Sequence, residues 1–112
     1  MCIRDSYIKG GDTDQIGHAC AMALKNLMGL VCDPVGGLVE VPCVKRNVGG
    51  AVNALAAADM ALAGITSKVP VDQVIDAMKE VGDKMDVSLR ETGVGGVAGT
   101  PAAQEVVEKL GM

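Results

Sequence analysis

The stretch at residues 16–31, IGHACAMALKNLMGLV, decides the fold class. Its apolar residues recur at the spacing of an α-helix, namely Ile16, Cys20, Ala23, Leu24, Leu27, Met28 and Val31. Residues 12–14, DTD, offer the side-chain oxygens and negative charge of a helix start. The helix should end near Gly29, because residues 32–37, CDPVGG, contain an Asp-Pro step and paired glycines. The same pattern places four residues off the apolar stripe: His18, Met22, Lys25 and Asn26.

Three further helices are predicted downstream. Residues 48–63 are apolar nearly all round, which predicts burial on most sides, and Gly64 is a natural stop. A helix should start with Pro70 in its first turn, and its apolar stripe is Val71, Val74, Ile75, Met78, Val81 and Met85. Thr100-Pro101 should begin a last helix that ends near Gly111. Residues 38–41 have no strand to pair with, so we expect an extended loop or a brief helical turn. The predicted class is all-α, with four helices and two glycine-rich loops.

Composition limits both the size of the core and the classes of function. The chain has 112 residues, enough for one small domain, and it contains 15 glycines, one Tyr and no Trp or Phe. Small side chains bury little area each, so the core should be thin unless it is shared with a neighbour. Net charge is −4 with scattered Lys and Arg, which argues against nucleic-acid binding. The apolar run at 48–65 contains Asn53 and Asp59, which favours a buried helix over a membrane span.

The first six residues, MCIRDS, differ in pattern from everything that follows. We expect residues 1–6 to be a non-native leader and residues 7–112 to form one helical domain, so Cys2 carries no inference. No export signal is visible in the sequence. A cytoplasmic location with reduced thiols is therefore the expectation for the four cysteines.

Cys32 and Cys43 are the residues best suited to chemistry, with ten residues between them in a loop rich in Gly and Pro. Thiolates bind iron and zinc, and glycines let backbone N–H groups approach the sulfurs. The spacing is neither a zinc-finger nor a ferredoxin pattern, so metal ligation and two incidental thiols both remain open on the residues alone. Cys20 lies on the apolar stripe and is predicted to act as a small hydrophobe. His18 is predicted to be a surface histidine.

Arg46 and Asn47 follow the second cysteine closely. Asn47 is either the N-cap of the second helix or part of a substrate site. Arg46 could bind a substrate carboxylate, because guanidinium binds carboxylates with two parallel hydrogen bonds. Arg90, Glu91 and Thr92 are a second polar set, either functional or a solvated connection.

Residues 26–47, NLMGLVCDPVGGLVEVPCVKRN, resemble the bacterial iron–sulfur L-serine dehydratases, above all the α subunit of the two-subunit form. Residues 57–65, AADMALAGI, and 90–96, RETGVGG, extend the resemblance. It implies a [4Fe-4S] cluster with Cys32 and Cys43 among its three cysteine ligands. It also implies conversion of L-serine to pyruvate and ammonia in the cytoplasm. The open iron of the cluster would act as a Lewis acid on the serine hydroxyl, while a base removes the α-proton.

The resemblance also implies what this chain lacks. The family's first cysteine ligand and its serine-recognition segment lie upstream of the residues that match, and the two-subunit form has a β subunit. We therefore expect a C-terminal fragment of an α subunit that is inactive alone. Two alternatives remain: a related cluster-dependent lyase acting on cysteine, and a non-catalytic helical module that packs within a larger assembly.

Overall fold

A computed structural model describes residues 1–112, and its regular structure is five α-helices with no β-strand. The helices are α1 (Cys2–Ile8), α2 (Thr13–Asn26), α3 (Cys43–Leu62), α4 (Val71–Lys84) and α5 (Pro101–Leu110). Short 3-10 turns span Val35–Gly37, Val87–Leu89 and Gly96–Gly99. The predicted all-α class is confirmed. The chain divides into a first unit, Met1–Gly29 with Gly49–Asp83, and a second unit, Leu30–Val48 with Lys84–Met112.

Helix α2 begins where the sequence predicts, and side-chain hydrogen bonds explain why. Asp12 is the N-cap, and its carboxylate accepts a 2.8 Å hydrogen bond from the backbone N–H of Gln15. The Gln15 side chain accepts one of 3.0 Å from the Asp12 N–H in return. This reciprocal pair satisfies two N–H groups that would otherwise lack partners at the start of the helix. The helix ends at Asn26, shortly before Gly29.

The core of the first unit is built mainly from alanine. Its buried cluster comes from α2 and α3 and comprises Ala19, Met22, Ala23, Ala57 and Ala61. Met22 is only 5 % exposed, so its predicted position off the apolar stripe is wrong. Ala19 and Ala23 lie on the same face of α2 as Met22, and their small side chains let α2 pack against α3 there. Larger apolar residues of the predicted stripe, such as Ile16 and Leu24, are half-buried instead.

Polar side chains also join the elements of the first unit. The Asn53 amide of α3 donates to the Ala23 carbonyl at 2.9 Å and accepts from the Asn26 side chain at 3.0 Å. His18 is half-buried, and its Nδ1 accepts a 3.2 Å hydrogen bond from the Ser67 backbone N–H. The predicted surface histidine is therefore only partly exposed. Because Nδ1 is an acceptor, the ring proton of neutral His18 resides on Nε2.

The helix predicted at 48–63 begins five residues earlier, at Cys43. The carbonyl of Pro42 accepts a 3.0 Å hydrogen bond from the Arg46 N–H, which closes the first turn directly after the proline. Asn47 therefore lies inside α3 and is exposed, so its predicted N-cap role is wrong. The predicted burial on most sides is also wrong for this chain. One face of α3 carries Val48, Val52 and Leu55, which are 62 %, 61 % and 41 % exposed.

Helix α4 starts directly after Pro70, whose carbonyl accepts from the Val74 N–H at 3.1 Å. Only Val74 of its apolar stripe is buried, and Ile75, Met78 and Val81 are exposed. Residue Leu38 is extended and residues 39–42 form a turn, as expected for a loop without a strand partner.

In the second unit, α5 packs against the turns Val35–Gly37 and Gly96–Gly99. Thr100 caps α5 by accepting from the Ala103 N–H, and Gly111 ends it with a φ of 70°. Both ends of this helix match the prediction. None of the helices in the chain is long and apolar enough to cross a membrane.

Candidate functional site

Cys32 is fixed by backbone pairing with a segment far along the chain. Its N–H donates to the Leu89 carbonyl at 2.9 Å, and its carbonyl accepts from the Glu91 N–H at 2.6 Å. These two bonds form an isolated parallel bridge between Cys32 and Arg90. The structure thereby places the glycine-rich loop around Cys32 beside the Arg90-Glu91-Thr92 segment, which the sequence showed as two separate loops.

Cys43 is the first residue of α3, and its side chain lies near enough to Cys32 to affect the pKa of that thiol. Both side chains are half-buried, and both thiols are free. Desolvation raises the pKa of the Cys32 thiol, and the nearby Cys43 side chain and the charge of Glu91 raise it further. Thiols must lose their protons to bind a metal. A bound cation would therefore lower the pKa of Cys32 and favour its thiolate.

Asp33, the residue after Cys32, is 1 % exposed. Its Oδ1 accepts a hydrogen bond from Nη1 of Arg46, and its Oδ2 accepts one of 2.6 Å from the Val97 N–H. Although desolvation acts to raise the pKa of Asp33, these hydrogen bonds and the charge of Arg46 lower it overall. The carboxylate is thus ionised, buried and bonded at both oxygens, which is the state that makes a buried charge tolerable.

Arg46 reaches the backbone on the other side of Cys32 as well. The same Nη1 donates to the Val31 carbonyl at 2.7 Å. The Arg46 side chain is 30 % exposed, so it is only partly covered by the protein. Asn47 is exposed on α3. The structure therefore places Arg46 next to the cysteine pair and gives its charge a partner that the sequence did not reveal.

Gly96 lets the second glycine-rich loop approach Asp33. A Cβ built on Gly96 would lie 2.9 Å from the Cβ and Cγ of Asp33 and closer still to its Oδ2. Gly96 also has a φ of 57°, in the left-handed region that favours glycine. A residue with any side chain would push the loop away and weaken the Val97 N–H bond to Asp33.

Side-chain hydrogen bonds of Arg90 and Thr92 stabilise the loop to which they belong. Nε of Arg90 donates to the Met85 carbonyl at 2.8 Å, and the Thr92 hydroxyl donates to the Ser88 carbonyl. Glu91 has a φ of 63°, which is uncommon for a residue with a side chain. The two bonds that frame it fix this segment in the conformation that pairs with Cys32.

Two thiols are the soft metal donors that this site supplies. No group of three or more His, Cys, Asp or Glu side chains in the chain could hold a metal ion. Cys20 belongs to the first unit, where burial raises the pKa of its thiol and the neighbouring Cys2 raises it further. Thiolates are the usual ligands of iron–sulfur clusters, so the chemistry of Cys32 and Cys43 suits two ligand positions of such a group, and any further ligand has to come from other residues.

The profile of the family described as Serine dehydratase alpha chain matches residues 6–98. The chain belongs to this family. The matched range contains Cys32, Asp33, Cys43 and Arg46.

Curated relatives agree with this assignment. The chain is 61 % identical over 101 residues to the probable L-serine dehydratase, alpha chain, of Bacillus subtilis, covering 90 % of this chain and 34 % of that protein. It is 65 % identical over 92 residues to the probable alpha chain of Latilactobacillus sakei, covering 82 % and 44 %. The L-serine dehydratase, alpha chain, of Peptoniphilus asaccharolyticus is 50 % identical over 97 residues, covering 87 % and 33 %. The chain thus spans between a third and under a half of the length of these relatives.

Proposed function

We propose that this chain is part of the alpha chain of an iron–sulfur L-serine dehydratase, a lyase that converts L-serine to pyruvate and ammonia. The observation that carries the proposal lies within the family match: Arg46, in the first turn of the helix that Cys43 begins, bonds the residues on both sides of Cys32. The relatives named L-serine dehydratase support the substrate and the reaction class.

In this proposal Cys32 and Cys43 hold two corners of a [4Fe-4S] cluster, and the third cysteine lies outside this chain. When bound, the cluster supplies a Lewis acid for the serine hydroxyl. Cys32 is anchored by its bridge to Arg90, and Cys43 is anchored by the first turn of α3. Two ligands with fixed backbones reduce the conformational freedom that is lost when the cluster binds.

Arg46 and Asn47 are proposed ligands of the serine carboxylate. The partly exposed Arg46 side chain bonds the residues on both sides of Cys32, and Asn47 follows it on α3. Because Asp33 already compensates the charge of Arg46, a substrate carboxylate would have to share it. We expect Arg46 to orient the substrate more than to supply net attraction.

We further propose that the active enzyme contains a companion β chain and works in the cytoplasm. The relatives are named alpha chains, which supports a companion. In this proposal residues 1–6 are a non-native leader, residues 7–112 are the C-terminal part of the alpha chain, and the piece has no activity alone. Helix α1 contains most of that leader, and its Ser6 is buried.

The proposal is tested on the complete alpha chain with its β chain, reconstituted with iron and sulfide without oxygen. Cys32→Ser and Cys43→Ser should each abolish the visible absorbance of the cluster and serine-dependent pyruvate release. Cys20→Ser is the matched control, and it should keep both. Activity that survives the Cys32→Ser, Cys43→Ser double variant would refute the proposal, and faster turnover of L-cysteine than of L-serine would refute the substrate.

A further inference from the structure

We propose that the buried ion pair between Asp33 and Arg46 holds the Cys32 and Cys43 thiols side by side before any metal arrives. Asp33 and Arg46 are then positioning residues of the thiol pair. This inference deepens the proposed function, on which it depends for the identity of the metal group.

The two residues of the ion pair lie close in sequence to the two cysteines. Asp33 directly follows Cys32, and Arg46 lies three residues after Cys43, within the first turn of α3. The Arg46 guanidinium bonds the Asp33 carboxylate and the Val31 carbonyl, so it bonds the residues on both sides of Cys32. Cys32 is therefore one residue, and Cys43 three residues, from a side chain that is bonded to the other cysteine's segment.

The carboxylate is itself held from a third direction. Its second oxygen accepts from the Val97 N–H at 2.6 Å, and the missing side chain of Gly96 leaves room for it. At 1 % exposure, Asp33 exchanges these partners for water only if the loop opens. Charge-assisted hydrogen bonds in such a low-dielectric site are stronger than those on the surface. The ion pair thus limits how far the Cys32 loop can move from the start of α3.

Held thiols bind a thiol-seeking ion with a chelate advantage. Once one sulfur has bound, the second bond forms within the same molecule at a high effective concentration. If the loop could swing, that effective concentration would fall while each thiol stayed chemically intact. The ion pair should therefore affect two-thiol binding much more than single-thiol chemistry, which responds only to the change of charge near Cys32.

Phenylarsine oxide is a probe of this difference that requires no iron. Its arsenic forms one bond to each of two thiols, and the two thiol protons leave with the oxide oxygen as water. The experiment uses the 112-residue chain with Cys2→Ser and Cys20→Ser, so that Cys32 and Cys43 are the remaining thiols. The affinity for phenylarsine oxide is measured beside the rate of alkylation by iodoacetamide, and circular dichroism monitors the helix content.

Asp33→Asn and Arg46→Met should each weaken phenylarsine oxide binding by roughly ten-fold or more, through loss of effective concentration. Iodoacetamide rates should change much less than these affinities, because alkylation of one thiol responds only to the altered charge near Cys32 and not to effective concentration. Circular dichroism identifies the variants that keep their helix content. Arg46→Lys keeps the charge but cannot bond Asp33 and Val31 in the same planar geometry, so its affinity should be intermediate. Asp59→Asn is the matched control, because it removes the exposed Lys9–Asp59 ion pair of the first unit.

Affinities equal to that of the parent in folded Asp33→Asn and Arg46→Met chains would overturn the inference. If Asp33→Asn unfolds, the comparison of Arg46→Lys with Arg46→Met decides, and equal affinities for those two would overturn it. The failure of the proposed function is distinguishable, because a complete enzyme that retains its cluster in Cys32→Ser would refute cluster ligation without changing the arsenic result.

Discussion

A carboxylate buried as deeply as that of Asp33 needs a donor at each oxygen, and two separate parts of the second unit provide them. Arg46 donates from α3, and the Val97 N–H donates from the glycine-rich loop. Removing one partner of such a buried pair leaves an uncompensated charge, which typically costs about 3–5 kcal/mol. Gly96 matters as much as these donors, since its lack of a side chain determines whether the loop can reach Asp33.

Replacement of Gly96 by alanine separates close approach from backbone strain. Gly96 and Gly37 both have a positive φ, 57° and 75°, but only a Cβ built on Gly96 would meet another residue within 4 Å. Gly37→Ala should lower the free energy of unfolding by about 1 kcal/mol, from the left-handed backbone alone. Gly96→Ala should lower it by at least ~2 kcal/mol, because the Cβ also displaces Asp33. Urea unfolding of the two variants measures the difference, and equal losses would contradict the role of close approach.

At this scale the sequence revealed the thiols but not their support. Cys32, Cys43 and Arg46 could be singled out because their side chains have distinctive chemistry. In the sequence, Asp33 is recognisable only as part of an Asp-Pro step that ends a helix. Its ion pair with Arg46 depends on how the loop between them folds. The parallel bridge from Cys32 to Arg90 joins residues 58 positions apart, so no local sequence pattern predicts it.

At the scale of elements, the helix ends that were predicted correctly are those set by local side-chain chemistry. Asp12, Thr100 and Gly111 each act on N–H or carbonyl groups within four residues, so the sequence alone determines them. The start of α3 was misplaced because Asn47 has the chemistry of a cap, whereas Pro42 already initiates the helix. Hydrophobic spacing predicted which residues favour burial, but the alanines decide which face of α2 packs most closely.

Helix α3 contains a glycine that this chain does not use for packing. A Cβ on Gly49 would meet nothing within 4 Å, and the same holds for Gly82 in α4. Glycine inside a helix costs roughly 0.5–1 kcal/mol relative to alanine, because it orders a more flexible backbone. Gly49→Ala and Gly82→Ala should each raise the free energy of unfolding of the 112-residue chain by that amount. Thermal unfolding measures it, and a loss of stability in either variant would show that the space is not open.

At the scale of the whole molecule, the thin core expected from composition is present. Nine of the eleven buried hydrophobic residues are alanine, and the other two are Met22 and Val74. Large apolar side chains lie mainly on the surface, among them Val52, Leu55, Ile75 and Met78. A periodic apolar pattern shows that a helix face favours burial, but it does not show whether residues of the same chain pack against that face. Burial of the 48–63 helix was predicted wrongly for that reason.

The exposed face of α3 should therefore behave as a surface rather than as part of the core. Val52→Lys with Leu55→Lys should keep the helix content and cooperative unfolding of the chain, since both side chains are already exposed. The double variant should also bind less of a fluorescent dye that detects apolar surface, and it should self-associate less, because exposed apolar patches drive both.

Ala57→Lys is the contrasting variant on the same helix. Ala57 is 0 % exposed, so an unpaired charge there should abolish cooperative unfolding. Circular dichroism, dye fluorescence and sedimentation distinguish the outcomes. If Val52→Lys with Leu55→Lys unfolds the chain as Ala57→Lys does, then that face is part of the chain's own core, and the exposure of α3 does not describe the protein in solution.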